Sequence, residues 1–225
     1  MDDASSRRTR DIAMRHLAAG DALGWFDEVY AAAQEDMSAI PWADARPNPS
    51  LLQWLERGSS GGGGQGALVV GCGLGDDAEE LSRRSFAVTA FDISPASIDW
   101  CRKRFHESSV DYRVADLFQA PAEWQARFDF IFEAYTLQSM PTELRLLAME
   151  SIARFLAPGG VLLVVARGRD PQEPDKGPPW PLTKAQLETF TDCGLILLSF
   201  EDCLEGDDRA TRRFRAVYQK PQTEG

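Results

Sequence analysis

Histidine is nearly absent from this 225-residue chain, which carries only His16 and His106, and its four cysteines, Cys72, Cys101, Cys193 and Cys203, are widely spaced with no Cys-x-x-Cys pair. Ligating side chains so few and so scattered argue against a structural zinc site or a disulfide scaffold, and no metal site is assigned. Both histidines sit in helix-like segments beside charged residues and read as surface groups. Positive charge is also short. The 24 Lys and Arg face 35 Asp and Glu, a net charge of −11, which opposes adhesion to a phosphate backbone or an anionic membrane, so neither is an expected partner. No apolar run approaches the ~18 residues of a membrane span, and the opening MDDASSRRTR lacks the apolar region of a secretory signal, so a soluble, cytoplasmic protein is expected. Core material, by contrast, is plentiful: hydrophobic residues make up 44% of the chain, including six Trp and twelve Phe. At this length they fill one sizeable core, and a single elaborated domain is expected rather than two.

Residues 58–66, GSSGGGGQG, hold six of the eighteen glycines and read as a flexible joint. Before it, Leu23, Phe26, Tyr30 and Ala33 recur at helical spacing within 22–36, and a second helix is expected over 50–56, with Pro41-Trp42 in an extended stretch between them. We therefore divide the chain into an N-terminal helical segment (1–57), the joint (58–66) and a core domain (67–225). In the core, strands are expected at 67–70, 86–91, 110–114, 128–133 and 161–166, alternating with helices from 76, 95 and 142. Such alternation implies an α/β, doubly wound, Rossmann-like sheet. The tail differs: after a loop over 167–181 and a helix from Thr183, two strands joined by the acidic turn EGDDRAT must run antiparallel.

The first strand runs into Gly71-Cys72-Gly73-Leu74-Gly75 and then directly into a helix. Glycines here let a ligand approach the backbone, and the helix start offers unpaired N–H groups, although a tight turn with nothing bound would use the same residues. Asp92 ends the second strand, seventeen residues after Gly75. A carboxylate there can accept from both hydroxyls of a ribose, which suits NAD and S-adenosylmethionine equally, or it can simply cap the following helix at Ile93-Ser94-Pro95. Asp76-Asp77 at the helix start would repel a pyrophosphate but tolerate a sulfonium ligand. Asp116-Leu117, after the third strand, can present a carboxylate to an adenine amino group and an apolar surface to its ring, or form an ordinary turn.

These motifs, with the FDFIFE strand and the turn Leu156-Ala157-Pro158-Gly159-Gly160, resemble the successive motifs of class I S-adenosylmethionine-dependent methyltransferases over roughly 66–166. Pro41-Trp42-Ala43-Asp44, Val70-Gly71-Cys72-Gly73, Phe91-Asp92-Ile93-Ser94 and Gly177-Pro178-Pro179-Trp180-Pro181 look most similar to the branch containing thiopurine, thiol and halide methyltransferases. The resemblance implies a seven-stranded sheet with its last strand antiparallel, and S-adenosyl-L-methionine as cofactor. It implies cofactor contacts from Gly71, Cys72, Gly73, Gly75, Asp92, Ile93, Asp116 and Leu117, and makes residues 1–57 an N-terminal helical lid over the cofactor with contacts from Trp25 and Trp42, where both tryptophans can also serve as packing residues. Glu133 and Tyr135, at the end of the fourth strand, become candidates for catalysis: Glu133 holding the cofactor ammonium or acting as base, Tyr135 orienting the acceptor. A purely structural place at the sheet edge remains the alternative for both.

Arg167 leaves the fifth strand where open α/β sheets bind ligands, and can bind an anionic acceptor or remain solvated. Trp180, on the stiff Gly177-Pro178-Pro179 loop, reads as a side chain delivered to the acceptor mouth, with loop rigidity alone as the other reading. In-line methyl transfer asks mainly for positioning and exclusion of water, and a thiolate or halide needs no strong base, which suits a chain with no histidine near its motifs. The expectation is a small-molecule methyltransferase acting on a thiol or other soft nucleophile. Transfer to oxygen or nitrogen of a small aromatic, and a non-catalytic cofactor-binding module, are the alternatives. The sequence carries no readable signal for oligomeric state.

Overall fold

The computed structural model describes residues 4–58, 62–205 and 211–222. Seven strands form one sheet in the order β3-β2-β1-β4-β5-β7-β6. They are β1 (Gly66–Val70), β2 (Ala87–Asp92), β3 (Asp111–Val114), β4 (Phe128–Ala134), β5 (Leu156–Arg167), β6 (Ile196–Glu205) and β7 (Thr211–Gln219). The first five are mutually parallel, and β7 lies antiparallel between β5 and β6. The expected α/β sheet with its antiparallel last strand is therefore present. Chain order reverses between β1 and β4, and the crevice at such a reversal, above the strands' carboxyl ends, is where this architecture places ligands.

Both sheet faces are covered, which is why the parallel strands are nearly continuous in Val, Leu, Ile and Phe. One face packs on α6 (Thr142–Phe155) and α7 (Lys184–Asp192), around Trp124, Phe128, Met149, Phe190 and Tyr218. The other packs on α3 (Pro49–Gly58), α4 (Asp76–Arg83) and α5 (Pro95–Arg104), around Leu51, Leu55, Leu81, Ile98 and Phe130. Ahead of these, α1 (Ala4–Ala18) and α2 (Trp25–Ala33) form a third cluster that reaches Leu74 of the glycine loop and Trp100 of α5. The N-terminal helices thus lie over the start of the glycine loop.

Several boundaries differ from those expected. The helix anticipated over 22–36 spans only α2, because Gln34 and Glu35 turn left-handed, with φ of 50° and 65°. The turn anticipated at 157–160 is absorbed into β5, which opens at Leu156 and pairs with Phe128 before a bulge. Of the 58–66 stretch, residues 59–61 lie outside the described residues. Gly62 and Gly64 donate to the carbonyls of Arg84 and Ser85, and Gly66 opens β1. The acidic turn between β6 and β7 falls mostly on residues 206–210, also outside the described set. No helix among the described residues is long and apolar enough to cross a membrane.

Candidate functional site

The carboxyl end of β1 builds the loop. Gly71, Gly73 and Gly75 all have positive φ, of 60°, 53° and 88°, a region in which an L side chain is strained. Their space is used differently. A Cβ on Gly75 would lie 2.5 Å from the Tyr112 hydroxyl, so that glycine admits a core neighbour, whereas a Cβ on Gly71 would collide with Thr136 Oγ1 and one on Gly73 would press on the Tyr30 hydroxyl at 3.2 Å. Cys72 points into the core beside Cys101, and its N–H donates to Phe91. Its side chain therefore faces away from the crevice.

Asp92, buried at the end of β2, accepts the N–H of Gly73 and the N–H of Ser94, each at 3.0 Å. Burial pushes its carboxyl up to about 6 against these hydrogen bonds. Asp92 thus ties the end of β2 to the glycine loop, while the helix that follows is capped by Ser94, whose hydroxyl accepts the Ser97 N–H at 3.0 Å. Ile93 is half-buried beside it. Asp116 accepts from Phe118 N–H at 2.9 Å and from the Gln119 amide at 3.0 Å, forming the turn after β3. Leu117 drops into the core with only 6% of its surface exposed, so it offers little apolar surface to a ligand.

Glu133, the last but one residue of β4, lies directly opposite Val70, the last residue of β1. Its side chain is fully buried. Oε1 accepts the N–H groups of Thr136 and Leu137 at 2.8 and 3.0 Å, and Oε2 has no hydrogen-bond partner among the described residues. Burial pushes the carboxyl up to about 7. An acceptor oxygen without a donor in the interior is costly, and beside the first glycine of the loop it can receive an ammonium or a proton. Tyr135 follows with φ of 67°, and its hydroxyl accepts from Arg213 Nε at 3.1 Å.

The N-terminal helices meet this edge through α2. Asp27 accepts from the Ser94 hydroxyl at 2.7 Å and from Ala96 N–H at 3.1 Å, tying the helix to the start of α5. Tyr30 is buried against Gly73, and its hydroxyl accepts the Trp42 indole N–H at 2.8 Å. Trp42 itself is 37% exposed, while Trp25 is buried edge-on to it and stacked on Phe26. Trp25 thus packs in the cluster of the N-terminal helices with Tyr30 and Leu74, and its indole N–H has no hydrogen-bond partner among the described residues. Asp27 and Tyr30 went unrecognised because helical spacing assigns Tyr30 to the packing stripe and nothing in one sequence aligns Asp27 with Ser94.

At the end of β5, Arg167 donates its backbone N–H to the Gln138 side chain at 2.6 Å, and Gln138 O accepts the Trp180 N–H at 2.6 Å. Gln138 thus clasps the turn after β4 to the loop after β5. The Trp180 ring lies against the Arg145 guanidinium at 5.9 Å, on the α6 face of the sheet. Asp76 is paired with Arg104 at 2.9 Å, and Asp77 accepts Asn48 N–H at 2.6 Å, with burial pushing it up to about 7. Neither presents a bare charge to the loop, so repulsion of a pyrophosphate there is weaker than the sequence suggests. His16 of α1 bonds Asp21 and Glu28, and His106 is exposed.

Residues 67–160 match the family model described as a methyltransferase domain. The chain is 30% identical over 159 residues to the 2-heptyl-1-hydroxyquinolin-4(1H)-one methyltransferase of Mycobacteroides abscessus, covering 69% of this chain and 68% of that protein. The chain belongs to the class I S-adenosylmethionine-dependent methyltransferases. Its cofactor is S-adenosyl-L-methionine. This methyltransferase is also 27% identical over 179 residues to the ubiquinone biosynthesis O-methyltransferase of Alkalilimnicola ehrlichii, covering 76% of this chain and 66% of that one, and it spans about half the length of other proteins of that name. Among solved structures, the N-methyltransferase NodS of Bradyrhizobium japonicum, in complex with S-adenosylhomocysteine, shares the fold with a TM-score of 0.63 at 20% identity, covering 87% of this chain and all of that one. The 1,6-didemethyltoxoflavin-N1-methyltransferase of Burkholderia thailandensis does so with a TM-score of 0.66 at 16% identity, covering 88% and 86%. The residues at the edge of this methyltransferase fit a ligand with a ribose and an ammonium group: a buried carboxylate on the second strand, and a buried acceptor oxygen without a donor beside the loop.

Proposed function

We propose that this methyltransferase acts on a small molecule, at an ionisable hydroxyl of an aromatic acceptor, and that residues 1–57 serve as a lid over the core of 67–225 through the 58–66 joint. When bound, S-adenosyl-L-methionine supplies a methyl group made electrophilic by its sulfonium. In this reading Asp92 accepts from the ribose hydroxyls, with Ile93 beside the base and Asp116 receiving the adenine amino group. The N–H groups of the 71–75 loop line the methionine end, and Glu133 Oε2 takes the ammonium. Tyr135 orients the acceptor, and the lid, through Tyr30 and Trp42, excludes water.

The observation that carries this reading is the Glu133 carboxyl, one oxygen committed to the turn and the other without a partner beside Gly71. The acceptor class is supported by the relatives: one is a methyltransferase of a hydroxyquinolone, and others are O-methyltransferases of ubiquinone biosynthesis. The thiol reading, with the narrower likeness to the thiopurine, thiol and halide branch, stands second. It is favoured by one feature: both histidines lie away from the site, so an acceptor that ionises unaided would suit it.

The test is release of S-adenosylhomocysteine from S-adenosylmethionine with phenols, hydroxyquinolones, thiols, sulfide and halides. Turnover of the hydroxylated aromatics supports the first reading, and turnover confined to thiols or sulfide replaces it with the second. Cofactor binding without turnover of any acceptor favours a non-catalytic module.

A further inference from the structure

Arg145, near the start of α6, is a cation with only 3% of its surface exposed. Its Nε donates to Met140 O at 3.1 Å, which ties the side chain back to the turn after β4. The outer fork of the guanidinium, Nη1 and Nη2, is buried with no hydrogen-bond partner among the described residues. Burial holds the group below its ordinary value, and the carboxylates of Asp175 and Glu143 act on it only from a distance. Asp175 is engaged with Arg169 at 3.5 Å, and Glu143 is exposed. In a chain with 35 Asp and Glu, a buried guanidinium left without a pair is a costly choice.

Its place in the fold gives that choice a use. The Trp180 ring lies 5.9 Å from the guanidinium, the Trp180 N–H donates to Gln138 O, and the Gln138 side chain accepts the Arg167 N–H. Arg145 therefore sits between the turn after β4 and the loop after β5, at the carboxyl edge where an open α/β sheet takes its ligands. Glu133 and Tyr135 lead into the same turn. The stretch 170–176 of the covering loop is exposed throughout, and Trp180 is half-buried beneath it. A planar fork with one positive charge matches the two oxygens and the single charge of a carboxylate. A phosphate group, with close to two charges, would call for a second cation, and Arg169 is already neutralised by Asp175.

We propose that Arg145 reads a carboxylate on the methyl acceptor, with Trp180 closing over the acceptor ring. The outer fork is covered in this structure, so the acid enters as the exposed stretch lifts Trp180 away. The proposal rests on the proposed function and adds the chemical class of the acceptor, an aromatic acid rather than a neutral aromatic. Arg145 is a specificity residue here. The carboxylate is a handle remote from the reacting oxygen, so transfer of the methyl group and the fate of the acceptor's proton are unchanged by it.

The test is calorimetric titration of 4-hydroxyquinoline-2-carboxylate and of 4-hydroxyquinoline into the protein saturated with S-adenosylhomocysteine. The two probes differ only by the carboxylate. The wild-type protein is expected to bind the acid about 10- to 100-fold more tightly, the range of a charge-assisted pair. Arg145→Met keeps most of the stem and removes the unpaired charge, so its urea midpoint is expected to hold or rise while the two affinities come within about twofold of each other. Arg145→Lys should retain part of the preference. If Trp180 alone compensates the cation, Arg145→Met loses stability and the preference is unmoved, which overturns the proposal. Equal affinities in the wild type, or binding of neither probe, overturns it as well. Turnover separates the two ideas: an acid preference without methylation of any hydroxylated aromatic keeps the Arg145 subsite and sinks the proposed function, whereas methylation of both probes at equal affinity does the reverse.

Discussion

The carboxylate of Asp92 accepts the backbone N–H of Gly73 at 3.0 Å, so the end of β2 holds the middle of the glycine loop in place. One side chain therefore shapes the loop, and in the proposed function the same carboxylate accepts from a ribose. Asp92→Ala is expected to weaken S-adenosylhomocysteine binding by about 100-fold, since it removes a charge-assisted acceptor and leaves Gly73 and Ser94 N–H groups to be satisfied otherwise. Calorimetry on the purified variant measures this, and an affinity within about threefold of wild type would remove Asp92 from the cofactor site.

Glu133 makes cofactor binding and stability respond to pH in opposite senses. Its folded-state value of about 7 lies above the ordinary 4.5, so the fold favours the protonated acid. Its contribution to stability is full below about 4.5 and is lost as pH rises towards 7. Glu133→Gln is then expected to gain on the order of 1–3 kcal/mol over wild type at pH 8 and nothing at pH 4, read by urea denaturation. Binding runs the other way. An ammonium prefers the ionised carboxylate, so wild-type affinity for S-adenosylhomocysteine should fall as pH drops from 8 to 6, more steeply than in Glu133→Gln. A pH-independent difference between the two proteins would show that Glu133 does not titrate in this window.

Gly75 and Tyr112 form a steric pair whose energy can be tested directly. Gly75→Ala places a methyl group 2.5 Å from the Tyr112 hydroxyl at a φ of 88° and is expected to cost about 2 kcal/mol. Tyr112→Phe removes the nearest atom and also the hydrogen bond to Glu79, at 2.7 Å. In the double variant, part of the cost should disappear, leaving the backbone strain. Strict additivity in thermal or urea unfolding would show that the two positions do not press on each other.

Asp27 ties α2 to the start of α5 through the Ser94 hydroxyl and the Ala96 N–H. Removing its carboxylate in Asp27→Ala frees α2 from Ser94 and Ala96, and S-adenosylhomocysteine should dissociate roughly tenfold faster with a smaller change in its association rate. Stopped-flow tryptophan fluorescence, reporting on Trp25 and Trp42, follows both rates. Unchanged dissociation would mean that α2 does not retain the ligand.

The strand-loop-helix start from Gly66 to Arg83 was legible in the sequence because its determinants are local. An apolar run, glycines with positive φ and an acidic helix turn all lie within eighteen consecutive residues. The alternation of short apolar runs with helical stretches likewise announced a two-faced sheet, since buried parallel strands must be apolar throughout. Asp92 was legible by its distance from Gly75. Trp25 proved buried and stacked on Phe26, a packing that its own stripe could not announce. Leu117 was assigned an apolar surface that its burial largely removes.

The order of elements, the glycine loop and the acidic strand ends follow from periodicity and backbone chemistry over a few residues. That Glu133 abuts Val70, that Asp27 reaches Ser94 across 67 residues, and that Arg167 faces Arg213 across 46 emerge only once the chain is folded. Those relations depend on strand order, register and the return of β7 beside β5. They are settled by packing of the whole sheet, in which each contact is the joint result of many weak ones, and no local stretch of chain encodes them.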